Sequence, residues 1–192
     1  MRLRGLYAIT PEPVDLQELE RVLRGGPVLV QYRHKGRNVA QAQAVVALAR
    51  RYDVPVIIND DVELALEVGA AGAHLGRDDG ELAAARKRLG RRLLGVSCYN
   101  DPQLARAAVA AGADYVAFGS VFPSPTKPGA VRAASSLFSL DLGVPLCAIG
   151  GITLEASPAL IAAGADLLAV ITDLFQAPDL TARAAQYRSL FA

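Results

Sequence analysis

Short runs of continuously apolar residues alternate along this chain with longer stretches in which apolar positions recur every three or four residues, and glycine, proline or aspartate marks most boundaries. The first kind predicts buried strands and the second amphipathic helices. Leu3 to Ile9 is the first strand, stopped by Thr10-Pro11-Glu12-Pro13. Asp15 can cap the helix that carries Leu16, Leu19, Val22 and Leu23 as far as Gly25-Gly26-Pro27. Val28 to Arg33 is the second strand, Val39 to Tyr52 a helix, and Val56 to Ile58 the third strand. Helix Val62 to Val68, strand Gly72 to Leu75, helix Glu81 to Leu89, strand Leu93 to Ser97, helix Pro102 to Ala111 and strand Tyr115 to Gly119 continue the alternation. A weaker helix over Ala133 to Leu142, strand Leu146 to Ile149, helix Leu154 to Ala163, strand Leu167 to Ile171 and a terminal helix Thr181 to Phe191 complete it.

The junction phrase before a strand repeats, as Gly69-Ala70-Ala71-Gly72, Gly112-Ala113-Asp114 and Gly164-Ala165-Asp166. Such repetition marks one βα unit used again and again. Continuously apolar strands that alternate with helices imply a parallel sheet covered by helices. Eight units close naturally into a (β/α)8 TIM barrel forming a single domain over residues 1–192, at the short end for that fold. A flavodoxin-like open sheet needs about five strands and fits the count poorly.

Composition narrows the function. With 20 Lys+Arg against 19 Asp+Glu, 6% aromatic residues and no Trp, the chain has neither the field nor the stacking surface of a nucleic-acid binder. Its longest apolar runs, such as Leu167-Leu168-Ala169-Val170-Ile171, fall well short of a membrane span, and the reading is a cytoplasmic protein. Cys98 and Cys147 are too few for a disulfide framework and read as buried or pocket-lining thiols.

In a (β/α)8 barrel, chemistry sits where the strands end. Strand two ends in Gln31-Tyr32-Arg33-His34-Lys35, and alternation puts Gln31, Arg33 and Lys35 on one side. A solvated basic edge would explain one such strand, but an amide and two cations entering a barrel mouth suit an anion. Asn59, Asp60, Asp61, Asp78 and Asp79 follow strands three and four, where oxygen ligands from two loops could share one Mg2+. Asp60 or Asp61 could instead cap the next helix, an explanation that leaves the second loop unaccounted for. Ser97 ends strand five and can donate to an anion or begin a turn.

Gly119 to Gly129 turns abruptly polar, and Pro123, Pro125 and Pro128 stiffen it, so that Ser124, Thr126 and Lys127 project two hydroxyls and an ammonium. Gly150-Gly151 and Val170-Ile171-Thr172 fall where barrels often bind phosphate through backbone N–H groups. His74 lies inside an apolar strand and reads as a hydrogen-bonded core residue, while His34 alternates away from Gln31, Arg33 and Lys35. No histidine pair has metal spacing, and no G-x-S-x-G pattern occurs.

Taken in order, Leu6-Tyr7-Ala8-Ile9-Thr10, Gln31-x-Arg33-x-Lys35, Ile58-Asn59-Asp60, His74-Leu75-Gly76-x-x-Asp79, Gly95-x-Ser97, Phe122-Pro123-Ser124-x-Thr126-Lys127 and Ala148-Ile149-Gly150-Gly151-Ile152 resemble the thiamine-phosphate synthase family over nearly the whole chain. The resemblance implies a transferase that joins hydroxymethylpyrimidine diphosphate to thiazole phosphate and releases diphosphate. It implies Mg2+ on Asp60 and Asp79, and diphosphate on Arg33, Lys35, Asn59, Ser97 and Lys127. Gln31 would place the pyrimidine, while Ser124, Thr126, Gly151, Ile171 and Thr172 would receive the thiazole phosphate. Lys127, Arg33, Lys35 and Ser97 would serve catalysis by steadying the departing diphosphate. Small phosphorylated substrates are then the partners, with homo-oligomerisation left open. Three departures stand out: Arg77 follows His-Leu-Gly where glutamine is common, Cys98-Tyr99 stands where many members read x-His, and Ser124 replaces a usual threonine. The missing histidine argues against the related thiazole tautomerase, and retained Asp60, Asp79 and Lys127 argue against a non-catalytic thiazole- or thiamine-phosphate-binding relative.

Overall fold

The computed structural model describes residues 3–123 and 132–192. Eight strands, β1 (Gly5–Ile9), β2 (Leu29–Tyr32), β3 (Val56–Asn59), β4 (Gly72–Leu75), β5 (Leu93–Tyr99), β6 (Tyr115–Gly119), β7 (Leu146–Ile149) and β8 (Leu167–Val170), pair in sequence order into a closed barrel. Every pairing is parallel, including β1 with β8. The helices are α1 (Leu16–Arg24), α2 (Val39–Arg50), α3 (Val62–Glu67), α4 (Leu82–Leu89), α5 (Pro102–Ala110), α6 (Ser157–Ala162), α7 (Thr172–Phe175) and α8 (Leu180–Ser189). The expected (β/α)8 architecture is therefore the observed one. No helix among the described residues is long and apolar enough to cross a membrane.

Strand parity divides the core into two compartments. Leu6, Ala8, Val30, Tyr32, Val56 and Ile58 pack outward against the helices, whereas Tyr7, Ile9, Leu29 and Ile57 fill the barrel interior together with Tyr115, Ala117, Cys147, Leu167 and Ala169. Residues two apart on a strand share a face, so one register error would exchange the two sets. Side-chain caps begin five of the helices: Asp15 on α1, Asn38 on α2, Asp61 on α3, Asp101 on α5 and Asp179 on α8.

The repeated junction phrase closes the bottom of the barrel. Asp114 accepts from the Leu94 amide at 2.7 Å and Asp166 from the Leu146 amide at 3.1 Å, so each carboxylate clips its strand to the neighbour before it. Gly72, in the first copy, has no room for a side chain, because a Cβ there would lie 1.9 Å from the Leu93 carbonyl oxygen.

Helix α7 was not expected, and several boundaries differ from expectation by one residue or more. Ala133 to Leu142 forms a 3-10 turn at Ser135–Ser139, not an α-helix. Its sequence Ser-Ser-Leu-Phe-Ser buries only Phe138, too narrow an apolar stripe to favour a full helix. The helix expected over Leu154 to Ala163 is confined to Ser157–Ala162, with Pro158 in its first turn. Strand five runs on past Ser97 to Tyr99 through an irregularity in its pairing with β6.

Candidate active site at the barrel mouth

The inward parity that buries Tyr7 and Ile57 also sets the mouth. Gln31 and His74 face inward on β2 and β4 and are 3% and 4% exposed, and Asn59 and Ser97 end the inward rows of β3 and β5. Beyond β2 the chain continues as a loop, and Arg33, His34, Lys35 and Arg37 line one cavity of about 370 Å³ with Asn59, Asp60 and Asp61. The Thr10 hydroxyl accepts the Arg33 amide at 3.1 Å, and the Glu12 carboxylate accepts the Lys35 amide at 3.1 Å. The loop after β1 thus holds the basic loop after β2. Glu12 was legible only as part of a strand terminator, and Thr10 as that and as the end of the first motif.

Adjacent aspartates have separate tasks. Asp61 accepts the Leu64 amide at 2.7 Å and pairs with Arg37 at 2.7 Å, so it is the cap of α3. Asp61→Ala is accordingly expected to cost about 1 kcal/mol of stability, read as a lower urea midpoint. Asp60 stands in the left-handed region at φ 63, donates its amide to the His74 carbonyl at 2.8 Å, and receives Asn59 Nδ2 on its carboxylate at 2.5 Å. These contacts hold a conformation that is uncommon away from glycine. Partial loss of solvent around the carboxyl at the rim and the Asp79 carboxyl within hydrogen-bonding reach push its pKa up to about 6, against the opposing pull of Arg33 and Asn59. Asp79 is held in turn by the Gly76 amide at 2.6 Å.

This pair suits a divalent cation. A second carboxyl group beside Asp60 raises its proton affinity, and a cation between the two would relieve that crowding of negative charge. No cluster of three or more His, Cys, Asp or Glu with metal-binding geometry occurs among the described residues. Two carboxylates with remaining positions for water and phosphate oxygens match Mg2+ better than a dedicated protein cage.

On the far side of the mouth, Ser97 pairs with Ala117 and Tyr99 with Phe118, so β5 carries one extra residue at Cys98. This bulge bends the strand end. Tyr99, at φ 55, turns its hydroxyl to accept the Arg77 amide at 3.2 Å, and the Arg77 guanidinium lies 4.8 Å from its ring centroid. The two departures at 77 and 99 are therefore partners. Gly151, at φ 65, lies against the start of the loop after β6: a Cβ there would meet the Pro123 carbonyl oxygen at 2.5 Å. Ile171 occupies the position before α7, without a side-chain capping bond, and Thr172 begins the helix, at the mouth end of β8. Ser124, Thr126 and Lys127 lie outside the described residues.

Roles for Tyr7 and Tyr115 were unforeseen, because Tyr7 counted only within the first motif and Tyr115 sits in a run that reads as plain core. Gln31 Nε2 donates to the Tyr7 oxygen at 2.8 Å, the Tyr7 and Tyr115 hydroxyls are 2.8 Å apart, Tyr115 lies 3.0 Å from His74 Nδ1, and His74 Nε2 lies 2.8 Å from Ser97 Oγ. Burial holds the His74 pKa down to about 4, which keeps its ring neutral. Both cysteines are buried, and burial pushes the Cys98 thiol up to about 12 and Cys147 upward as well, so neither is a nucleophile at neutral pH.

A closed (β/α)8 barrel whose mouth sets two cations beside a carboxylate pair defines an enzyme for anionic substrates. The thiamine monophosphate synthase family model matches residues 6–174. Thiamine-phosphate synthases of Aromatoleum aromaticum and an Azoarcus species are 57% and 54% identical, over 99% and 100% of this chain and 97% and 98% of theirs. Thiamine phosphate pyrophosphorylase from Pyrococcus furiosus superposes with TM-score 0.88 at 27% identity, covering 99% of this chain and 96% of that one. A 3-hexulose-6-phosphate synthase shares the fold alone, with TM-score 0.75 at 19% identity over 98% of this chain and all of its own. The chain belongs to the thiamine monophosphate synthase family.

Proposed function

We infer that the barrel joins hydroxymethylpyrimidine diphosphate to thiazole phosphate and releases diphosphate, the thiamine-phosphate synthase activity for which its relatives are named. The observation that carries this reading is the single cavity in which Arg33 and Lys35 meet Asn59 and Asp60. A diphosphate needs cations and hydrogen-bond donors there, and a metal site beside them. Asp60 and Asp79 would hold Mg2+, which when bound supplies positive charge against the diphosphate oxygens.

Each remaining residue has a task in this scheme. Arg33, Lys35, Asn59 and Ser97 grip the diphosphate and stabilise its growing charge as the C–O bond to the pyrimidine methylene breaks. Lys127 adds a further cation by its chemistry. Gln31 orients the pyrimidine, whose amino-substituted ring spreads the methylene cation until the thiazole nitrogen captures it. Ser124, Thr126, Gly151, Ile171 and Thr172 receive the thiazole phosphate. No protein nucleophile is needed, in keeping with the two buried thiols. We place the enzyme in the cytoplasm, acting on small phosphorylated molecules.

Purified protein given both substrates and Mg2+ is expected to form thiamine phosphate and diphosphate, and excess EDTA to stop it. Substrate binding without product would favour the non-catalytic binder, and isomerisation of a thiazole carboxylate phosphate would favour the tautomerase. Either result would overturn the reading.

A further inference from the structure

The buried links from Gln31 through Tyr7, Tyr115 and His74 to Ser97 measure 2.8, 2.8, 3.0 and 2.8 Å and cross the barrel interior without a break. Their two ends are the groups assigned above to different parts of one substrate. We propose that Tyr7, Tyr115 and His74 are positioning residues that tie the hydroxyl of Ser97 to the orientation of the Gln31 amide, and thereby select a pyrimidine that carries an exocyclic amino group. The inference rests on the synthase reading of the site.

Each interior link has one hydrogen to give and one oxygen or nitrogen to receive: a phenol, a second phenol and a neutral imidazole. Such a chain has two self-consistent senses. In the first, Gln31 Nε2–H donates to Tyr7, Tyr7 to Tyr115, Tyr115 to His74 Nδ1, and His74 Nε2–H to Ser97 Oγ, whose own hydrogen then points to the mouth. In the second, every bond reverses, Ser97 donates inward, and Gln31 offers its oxygen to Tyr7. Any mixture either sets two acceptors face to face or makes one phenol oxygen accept twice and leaves its own hydrogen unpaired in a buried site, a cost that neither end can relieve.

A phosphate oxygen at Ser97 carries only lone pairs and requires a donor. Diphosphate therefore selects the first sense, which is also the one in which Gln31 Nε2 meets Tyr7. Gln31 Oε1 accepts no hydrogen bond from a described residue, and in that sense it faces substrate as an acceptor. An amino group on the ring satisfies it, whereas a ring carbonyl at the same position would oppose oxygen to oxygen. Discrimination is then strong because the mismatched partner would be left buried and unpaired.

The test compares kcat/KM for the aminopyrimidine diphosphate with that for its analogue bearing a ring carbonyl in place of the amine. Taking the ratio within each protein and then across variants removes the intrinsic difference in reactivity of the two rings. Tyr115→Phe and Tyr7→Phe each delete one hydroxyl and keep the ring. Each is expected to lower the preference for the amine about tenfold, the scale of one hydrogen bond, with the KM for thiazole phosphate unchanged. A merely structural role would slow both substrates alike and leave the ratio as it was. Should Tyr115→Phe fail to fold, Tyr7→Phe carries the test. A preference within twofold of the parent in a folded, active Tyr7→Phe enzyme overturns the relay and leaves the synthase reading standing. A parent enzyme that forms no thiamine phosphate overturns both.

Discussion

Asp60→Asn is expected to cut turnover about a hundredfold or more and, at the same time, to make the metal-free protein slightly more stable at neutral pH. Loss of activity follows if Asp60 holds the cation against the leaving diphosphate. The gain follows from the sign of its proton affinity. Its folded pKa lies at about 6 against an ordinary 3.8, so the native state binds the proton more tightly than the unfolded chain. Ionisation then costs nothing at pH values below the ordinary one, costs progressively more as pH rises through the folded value, and is fully felt above it. Asparagine removes that cost. Because Asp60 is exposed at the rim, solvent screening limits the gain to no more than about 1 kcal/mol. Urea unfolding with EDTA at pH 7.5 and at pH 4 separates the effects: the variant should lead at the higher pH and lose its lead at the lower. Parental turnover in Asp60→Asn at saturating Mg2+, or a lower midpoint at pH 7.5, would contradict the assignment.

Strand parity was the part of this molecule most legible in its sequence. Two apolar periods and the glycine junctions gave eight strands in order, and parity alone put Gln31 and Arg33 on the mouth side of β2. What sequence could not do was separate neighbours with equal chemistry. Asp60 and Asp61 are both carboxylates after β3, and only a left-handed backbone at 60 with a capping bond at 61 distinguishes them. Long-range partners were also out of reach. Tyr7 and Tyr115 are 108 residues apart, and each alone resembles core, so their hydrogen bond emerges only when the barrel closes. Thr10 and Glu12 were hidden for a similar reason, since their role is to accept amides from a different loop. The failure at 133–142 was local: helical spacing was present, but a stripe ending in one buried Phe138 supports no more than a 3-10 turn.

Gly95→Ala is expected to destabilise the protein by about 3 kcal/mol and to disturb specificity in the direction of Tyr115→Phe. Gly95 lies on β5 beside His74 of β4 and Tyr115 of β6. Its missing side chain leaves the gap through which the Tyr115 hydroxyl reaches His74 Nδ1 at 3.0 Å. A Cβ would come within 2.1 Å of Tyr115 Cζ and 2.6 Å of His74 Nδ1, and neither ring can retreat, since Tyr115 is fully buried and tied to Tyr7. The methyl must therefore break the link it displaces. On a Tyr115→Leu background the same change should cost less, because the clash partner has gone, and this non-additivity distinguishes a packing conflict from loss of glycine's backbone freedom. Equal costs on both backgrounds, measured by urea unfolding, would show that the glycine serves the strand and not the passage between the two rings.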